Sequence, residues 1–180
     1  MLRNSKFFCF EANEGSANIC RKIEPNTFCS ILSDSEKIVD FYSVEGSGDS
    51  YYLEMSEVYS GVLPSKRKTE TLASKRQILD LPIPCLMKLD TQGSEIDILK
   101  GAGDKVLDKV KYIIVETSLY PTNVSSPLID DYLRELDARN FSLLAVSDFH
   151  YAKNKLMQVD LLFFNRRLVN PFQFKKNPFL

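Results

Sequence analysis

Short apolar runs separated by polar turns organise the chain, and they predict strands that alternate with helices. The clearest strand patterns are residues 6–11, 37–44, 85–90 and 111–117. The last of these, KYIIVET, is apolar at successive positions, as in a strand that is covered on both faces of a parallel sheet. Residues 141–147 and 159–165 are predicted to close the sheet as an antiparallel pair around a polar turn region.

Three segments have the spacing of amphipathic helices. Residues 15–23 have a modest apolar face, and residues 94–101 direct Ile96 and Leu99 inward. Residues 126–140 are the strongest prediction, because Ser126 is placed to cap the helix and Pro127 lies in its first turn. The predicted buried stripe of that helix is Leu128, Ile129, Tyr132, Leu133 and Leu136.

The region between residues 51 and 78 is less regular. Residues 51–55 (YYLEM) are interpreted as an edge strand, and residues 62–76 (VLPSKRKTETLASKR) as an exposed loop or flap. Taken together, the alternating elements favour an α/β open sheet, in which ligands bind beyond the carboxyl ends of the strands.

Composition narrows the class of protein. The chain has 180 residues, 44% of them hydrophobic and 26% charged, with a net charge of −1. These values fit one domain over residues 1–180 and exclude the basic footprint of a nucleic-acid-binding protein. No apolar run is long enough to span a bilayer, and no secretory signal is evident, so a cytoplasmic location is expected.

The cysteines and the histidine give no metal-ligand spacing. Cys9, Cys20, Cys29 and Cys85 contain no C-x-x-C pair, and His150 lies far from all four in sequence. The expected state is four reduced thiols and no metal site, with His150 in a loop.

An acidic residue closes the first predicted strand. Glu11 is placed where a carboxylate accepts hydrogen bonds from both hydroxyls of a ribose. The alternative is that Glu11 only caps the helix that follows.

The stretch Lys88–Leu89–Asp90 leads into a turn at Gly93 and a helix that carries Glu95 in its first turn. One of the two acids is expected to orient or deprotonate a substrate hydroxyl; the alternative is that both only stabilise the helix start. Lys88 shares a strand face with Asp90 and is expected to be covered, so it needs an anionic partner, either Asp90 or Glu116.

Residues 86–102, LMKLDTQGSEIDILKGA, resemble the central signature of the FkbM-type S-adenosylmethionine-dependent methyltransferases. FFCFEANEGSANICRKI is similar to the family's second strand and helix, with Ala12 where proline is usual. The stretches QILDLPIP, VKYIIVETSLY and VDLLFFNRR also resemble parts of the family. The resemblance covers residues 6–167 and leaves residues 168–180 as a tail.

The resemblance implies a class I methyltransferase-like (Rossmann-like) open sheet, mostly parallel with an antiparallel C-terminal strand. It implies S-adenosylmethionine as cofactor, with Glu11 on the ribose and the 45–49 turn, which includes Glu45 and Gly46, near the adenine. Asn13 and Asp90 are implied as further cofactor-binding residues. The implied reaction is O-methylation of a sugar or polyketide-like hydroxyl, so the implied partner is a small-molecule or glycan substrate. The candidate catalytic residues are Asp90, Glu95 and Lys88.

One departure from the family pattern affects these expectations. The family's first strand and its glycine-rich turn have no counterpart, which predicts a gap between the Glu11 and Asp90 strands. Either these strands pair directly or the chain is an N-terminally incomplete version of a longer protein. A non-catalytic remnant that serves as a binding module is the alternative function. An NAD-dependent oxidoreductase is disfavoured because the dinucleotide glycine fingerprint is absent.

Overall fold

The computed structural model describes residues 5–44 and 48–171, which form a mixed α/β fold. The strands are β1 (Cys9–Glu11), β2 (Thr27–Cys29), β3 (Ile31–Leu32), β4 (Ile38–Phe41), β5 (Ser65–Glu70), β6 (Leu86–Leu89), β7 (Tyr112–Ser118), β8 (Phe141–Ala152) and β9 (Lys155–Asn165). The helices are α1 (Glu14–Cys20), α2 (Leu72–Ile78), α3 (Glu95–Ala102), α4 (Asp104–Leu107) and α5 (Ile129–Ala138).

The largest sheet has the strand order β6-β7-β9-β8. Strands β6 and β7 are parallel, and β9 runs antiparallel to both of its neighbours. It follows that β8 has the same direction as β6 and β7. The interior position of β7 confirms that residues 111–117 form a strand within the sheet, but β7 is parallel only to β6, and Tyr112 and Ile114 are less buried than Ile113 and Val115. The antiparallel pairing of β8 with β9 confirms the predicted closing pair.

Helices α3, α4 and α5 cover one face of this sheet, and the core lies between them. Ile96 and Leu99 face inward as predicted. Two expectations about α5 are wrong: Leu133 is exposed, and the helix begins at Ile129 rather than at a Ser126 cap. The first turn is held instead by Asp131, whose carboxylate accepts the backbone N–H of Leu128 at 2.9 Å.

Residues 62–76 are not a loop, which corrects the sequence interpretation. They contain β5, at the centre of a three-stranded sheet of order β3-β5-β4, and most of α2. The strand is held by backbone pairing with β3 and β4, and its exposed lysines face acids rather than a core: Lys66 reaches Asp40 at 2.7 Å and Lys68 reaches Glu36 at 2.8 Å. Conversely, residues 51–55 contribute only an isolated bridge, not an edge strand.

Strands β1 and β2 form a separate parallel pair, and within the described residues no backbone ladder joins β1 to β6. Direct pairing of these two strands, one of the two alternatives above, is therefore not observed. We call the junction between the β1–β2 pair and the β6 edge of the large sheet the seam. Side-chain contacts link the two sides close to the seam. The Tyr51 hydroxyl lies 2.9 Å from Asp97 on α3 and 3.1 Å from Ser33, which follows β3.

Across the part of the chain that the structure describes, every helix is too short or too polar to span a bilayer.

The turn between β8 and β9 contains residues that do not suit its backbone conformation, which leads to a prediction about stability. Lys153 and Asn154 form a two-residue connection with φ of +48° and +63°. Hairpin turns with two positive φ angles favour Asn-Gly, because most other side chains are strained there. We expect the double change Lys153→Asn, Asn154→Gly to stabilise the fold by about 1 kcal/mol, or ~2–4 °C in melting temperature. Thermal unfolding tests this, and the opposite change, Asn154→Val, is expected to lower the melting temperature.

Candidate functional site

The turn after β6 depends on a glycine. Gly93 has φ of +106°, and a Cβ atom there would lie 2.9 Å from the Cβ of Ser126. Gln92, just before it, also has a positive φ of +55°. Only glycine avoids both the strain and the collision, so residue 93 fixes the path from β6 into α3.

Glu95 holds this turn from behind. Its side chain is 1% exposed and accepts the backbone N–H of Thr91 at 2.7 Å and that of Gly93 at 3.1 Å. The hydroxyl of Tyr132 on α5 donates a third hydrogen bond at 2.6 Å. Burial, followed by the charge of Glu95, raises the pKa of Tyr132 above its usual range, so the hydroxyl stays a donor. The carboxylate therefore ties the turn to the core.

A cavity of about 80 Å³ lies where the carboxyl ends of β1 and β6 approach each other across the seam. Acids from three segments line it: Glu11, Asp49 and Asp90. Glu95 is not among the described residues that line it. The placement of Glu11 and Asp90 on one cavity is what the strand-end argument predicts.

Asn13 organises the β1 side of the cavity. Its side-chain oxygen accepts the backbone N–H of Gly15 at 2.8 Å, so Asn13, and not Glu11, caps α1. Its side-chain amide donates to Asp49 Oδ2 at 2.8 Å, and its backbone N–H donates to Glu11 Oε1 at 3.0 Å. The alternative in which Glu11 is the helix cap is thus wrong, and Asn13 positions two carboxylates.

Asp49 has an unsatisfied oxygen. Its Oδ1 atom is buried and accepts no hydrogen bond from the residues that the structure describes. A buried carboxylate oxygen without a donor is costly unless a ligand supplies one. Because Asp49 also lines the cavity, its unpaired oxygen is the clearest indication that a ligand with a hydrogen-bond donor binds at the site.

The predicted contact of Lys88 with a carboxylate is present. Lys88 Nζ lies 3.2 Å from Asp90 Oδ2 and 3.4 Å from Asp160 Oδ2, a partner that the sequence did not indicate. The expectation that Lys88 is covered is wrong, because its side chain is 52% exposed. The reason is that Lys88 projects from the face of the sheet opposite the buried Met87 and Leu89, and helices α3, α4 and α5 do not cover that face.

A second polar group lies on the same sheet, formed by Glu116 on β7, His150 on β8 and Asp160 on β9; we call it the carboxylate–histidine cluster. His150 is in a strand, which corrects its assignment to a loop. Burial, with the charge of Asp90 next in effect, raises the pKa of Glu116 to about 7.

The Methyltransferase FkbM domain model matches residues 5–143 of the chain. The chain belongs to this family. A search of curated proteins and a search of solved structures each give no match. Family membership confirms the resemblance drawn from the central signature, and it indicates a methyltransferase, which requires a methyl donor.

Within this FkbM methyltransferase domain, the candidate residues fall into two groups. Glu11, Asn13 and Asp90 meet at the cavity, whereas Glu45 and Gly46 lie outside the described residues. Sequence reasoning missed residues that come together only in the tertiary structure. The cluster could have been found only from strand register, which sets Glu116 directly opposite Asp160.

Proposed function

We propose that this chain is an S-adenosylmethionine-dependent O-methyltransferase that acts on a hydroxyl of a sugar or polyketide-like small molecule. The observation that carries the proposal is the unsatisfied, buried oxygen of Asp49 in a cavity that Glu11 and Asp90 also line. Family membership supplies the reaction class.

The acidic cavity fits the chemistry of this cofactor. When bound, the cofactor supplies an electrophilic methyl group on a sulfonium. Its ribose hydroxyls, adenine amino group and ammonium group are hydrogen-bond donors, and the cavity offers carboxylate acceptors. One oxygen of Glu11 accepts the backbone N–H of Asn13, and we assign the other oxygen to a ribose hydroxyl. Asp49 Oδ1 would accept from an N–H or O–H that reaches the buried end.

Asp90 is the residue that we assign to proton removal from the substrate hydroxyl. It lies on the cavity, and Lys88 Nζ lies 3.2 Å from its Oδ2 atom. Glu95 acts as a positioning residue, because its hydrogen bonds hold the turn that follows Asp90. Correct placement of the hydroxyl contributes most of the rate, since orientation can supply several kcal/mol, on the order of 7–11 in favourable cases.

The strand arrangement is compatible with a Rossmann-like open sheet that is interrupted at the seam. Strands β6, β7 and β8 share one direction and β9 opposes them, as a mostly parallel sheet with an antiparallel C-terminal strand requires. The β1–β2 pair is also parallel and ends at the same cavity.

The size of the cavity favours a second candidate, a non-catalytic binding module. Its volume of about 80 Å³ is well below the ~300–1,000 Å³ of ordinary ligand pockets. Cofactor binding therefore requires the seam to widen. If it does not widen, the methyltransferase reaction is excluded and the domain serves for interaction only.

Calorimetric titration with S-adenosylhomocysteine separates the two candidates. We expect the chain to bind it, and we expect Glu11→Ala and Asp49→Asn to weaken binding at least tenfold, since each removes an acceptor worth about 1.5–3 kcal/mol to a charged partner. Glu57→Gln changes an exposed acid outside the cavity and is expected to bind like the parent chain. Absence of binding by a chain with an intact circular dichroism spectrum would overturn the methyltransferase proposal.

A further inference from the structure

We propose that Glu116, His150 and Asp160 form a binding site for a divalent transition-metal cation of the Zn²⁺, Mn²⁺ or Fe²⁺ class. Of these residues only Glu116 lies within the region matched by the family model, which ends at residue 143. Cation binding here does not depend on whether the chain transfers a methyl group.

Two buried carboxylates face each other at the centre of the cluster. Glu116 on β7 is paired in register with Asp160 on β9, and they are 8% and 6% exposed. Like charges directly opposite each other on neighbouring strands destabilise a sheet, and burial increases the cost. The repulsion is relieved either by a proton on one carboxylate or by positive charge from a third group.

The ligand atoms are spaced for a small cation. His150 Nε2 lies 3.3 Å from Asp160 Oδ1 and 3.8 Å from Glu116 Oε1, and the three atoms lie within 4.8 Å of one another. Ligands about 2.0–2.2 Å from a tetrahedral zinc ion are about 3.3–3.6 Å apart. The His150–Asp160 distance is in this range, and the His150–Glu116 distance of 3.8 Å is slightly longer.

Neighbouring side chains hold each carboxylate so that one oxygen is left for the cation. Glu116 Oε2 accepts from Gln92 Nε2 at 3.1 Å and from Gln158 Nε2 at 2.8 Å. Glu116 Oε1 is the oxygen nearer His150.

Asp160 shows the same division. Its Oδ2 atom is 3.4 Å from Lys88 Nζ, and its Oδ1 atom is turned to His150. Outer partners of this kind orient ligands and tune affinity in metal sites. In each carboxylate, one oxygen is held by neighbouring side chains and the other faces His150, which is the arrangement expected of a metal site.

One imidazole and two carboxylates suit Zn²⁺, Mn²⁺ or Fe²⁺ better than Ca²⁺, which prefers a shell of oxygens. Three protein ligands leave at least one position for water or a substrate oxygen. The competing arrangement uses protonated His150 and Lys88 as the only positive charges, with no cation.

The single histidine makes the test specific. His150 is the only histidine in the chain, so its ring C–H signals are the only imidazole signals in a proton NMR spectrum of the untagged protein. We expect substoichiometric Mn²⁺ to broaden these signals selectively. We also expect Co²⁺ to give a visible absorption spectrum without the thiolate charge-transfer band that cysteine ligands would produce.

Variants decide whether the cluster is the site. Glu116→Gln and Asp160→Asn keep the side-chain shape and are expected to weaken Mn²⁺ binding at least tenfold, whereas Glu57→Gln is expected to leave it unchanged. If a buried variant fails to fold, His150→Gln at the more exposed position is compared through the Co²⁺ absorption spectrum instead, because it removes the imidazole signals that report Mn²⁺ binding. Absence of Mn²⁺ broadening, or affinity that is equal in the parent and the cluster variants, would overturn the proposal in favour of protonated His150 and Lys88.

Discussion

Replacing Glu95 with alanine is expected to lower the free energy of unfolding by about 3–5 kcal/mol. The carboxylate accepts two backbone N–H groups, from Thr91 and Gly93, and the hydroxyl of Tyr132. Removing it leaves these buried donors without an acceptor, and each unsatisfied donor costs on the order of 1–3 kcal/mol. The cost should exceed the gain from removing a buried negative charge, because no cation pairs with this carboxylate within the described residues.

Urea unfolding followed by circular dichroism measures this cost. Tyr132→Phe serves as the matched variant: it removes one donor and leaves Glu95 with two backbone N–H groups and the Thr91 hydroxyl at 3.2 Å, so we expect a smaller loss of about 1–2 kcal/mol. Glu57→Ala, at an exposed acid, is expected to stay within about 0.5 kcal/mol of the parent chain. A loss below about 1 kcal/mol for Glu95→Ala would show that the turn is stable without this carboxylate.

Gly101→Ala is expected to destabilise the domain by about 2–3 kcal/mol, although helix propensity alone predicts the opposite. Gly101 is buried within α3, where alanine is normally favoured by about 0.8–1.0 kcal/mol. A Cβ atom at this position would overlap the backbone carbonyl oxygen of Ser33 and would lie 3.3 Å from the Cα of Asp34. Because the obstacle is backbone rather than a flexible side chain, α3 must move away from it, and overpacking outweighs propensity.

The neighbouring exposed residue provides the control for that prediction. Lys100→Ala changes the same helix without entering a contact with the backbone near Ser33, so we expect an effect within about 0.5 kcal/mol. Chemical denaturation of both variants gives the comparison. Stabilisation by Gly101→Ala would mean that helix propensity wins and that α3 does not pack tightly at this point.

The sequence was most informative where chemistry is local. The run from Lys88 to Glu95 predicted the strand, the glycine turn and the helix start, because each depends on residues within a few positions of one another. The closing hairpin was also predicted as an antiparallel pair. Its full length was not, since polar residues continue both strands as far as the turn at Lys153 and Asn154.

The failures have a common physical cause. Strand β5 is held by backbone pairing with β3 and β4, and apolar periodicity does not detect such partners. The 45–49 turn was expected at the site, but the hydrogen bond that Asn13, 36 positions earlier, donates to Asp49 was not. His150 meets Glu116 only after β7 and β8 have each paired with β9 in a particular register. Long-range pairing decides all three, and single-sequence patterns report only local preferences.

The seam also has a dynamic consequence. Opening a protein where backbone ladders are absent breaks side-chain contacts alone, so it costs less than fraying β7, which is hydrogen-bonded on both sides. We therefore expect the lowest-energy fluctuation of the domain to separate β1 from β6. That fluctuation enlarges the cavity between Glu11 and Asp90, so the breathing motion that makes the fold locally weak is the same motion that would admit a ligand.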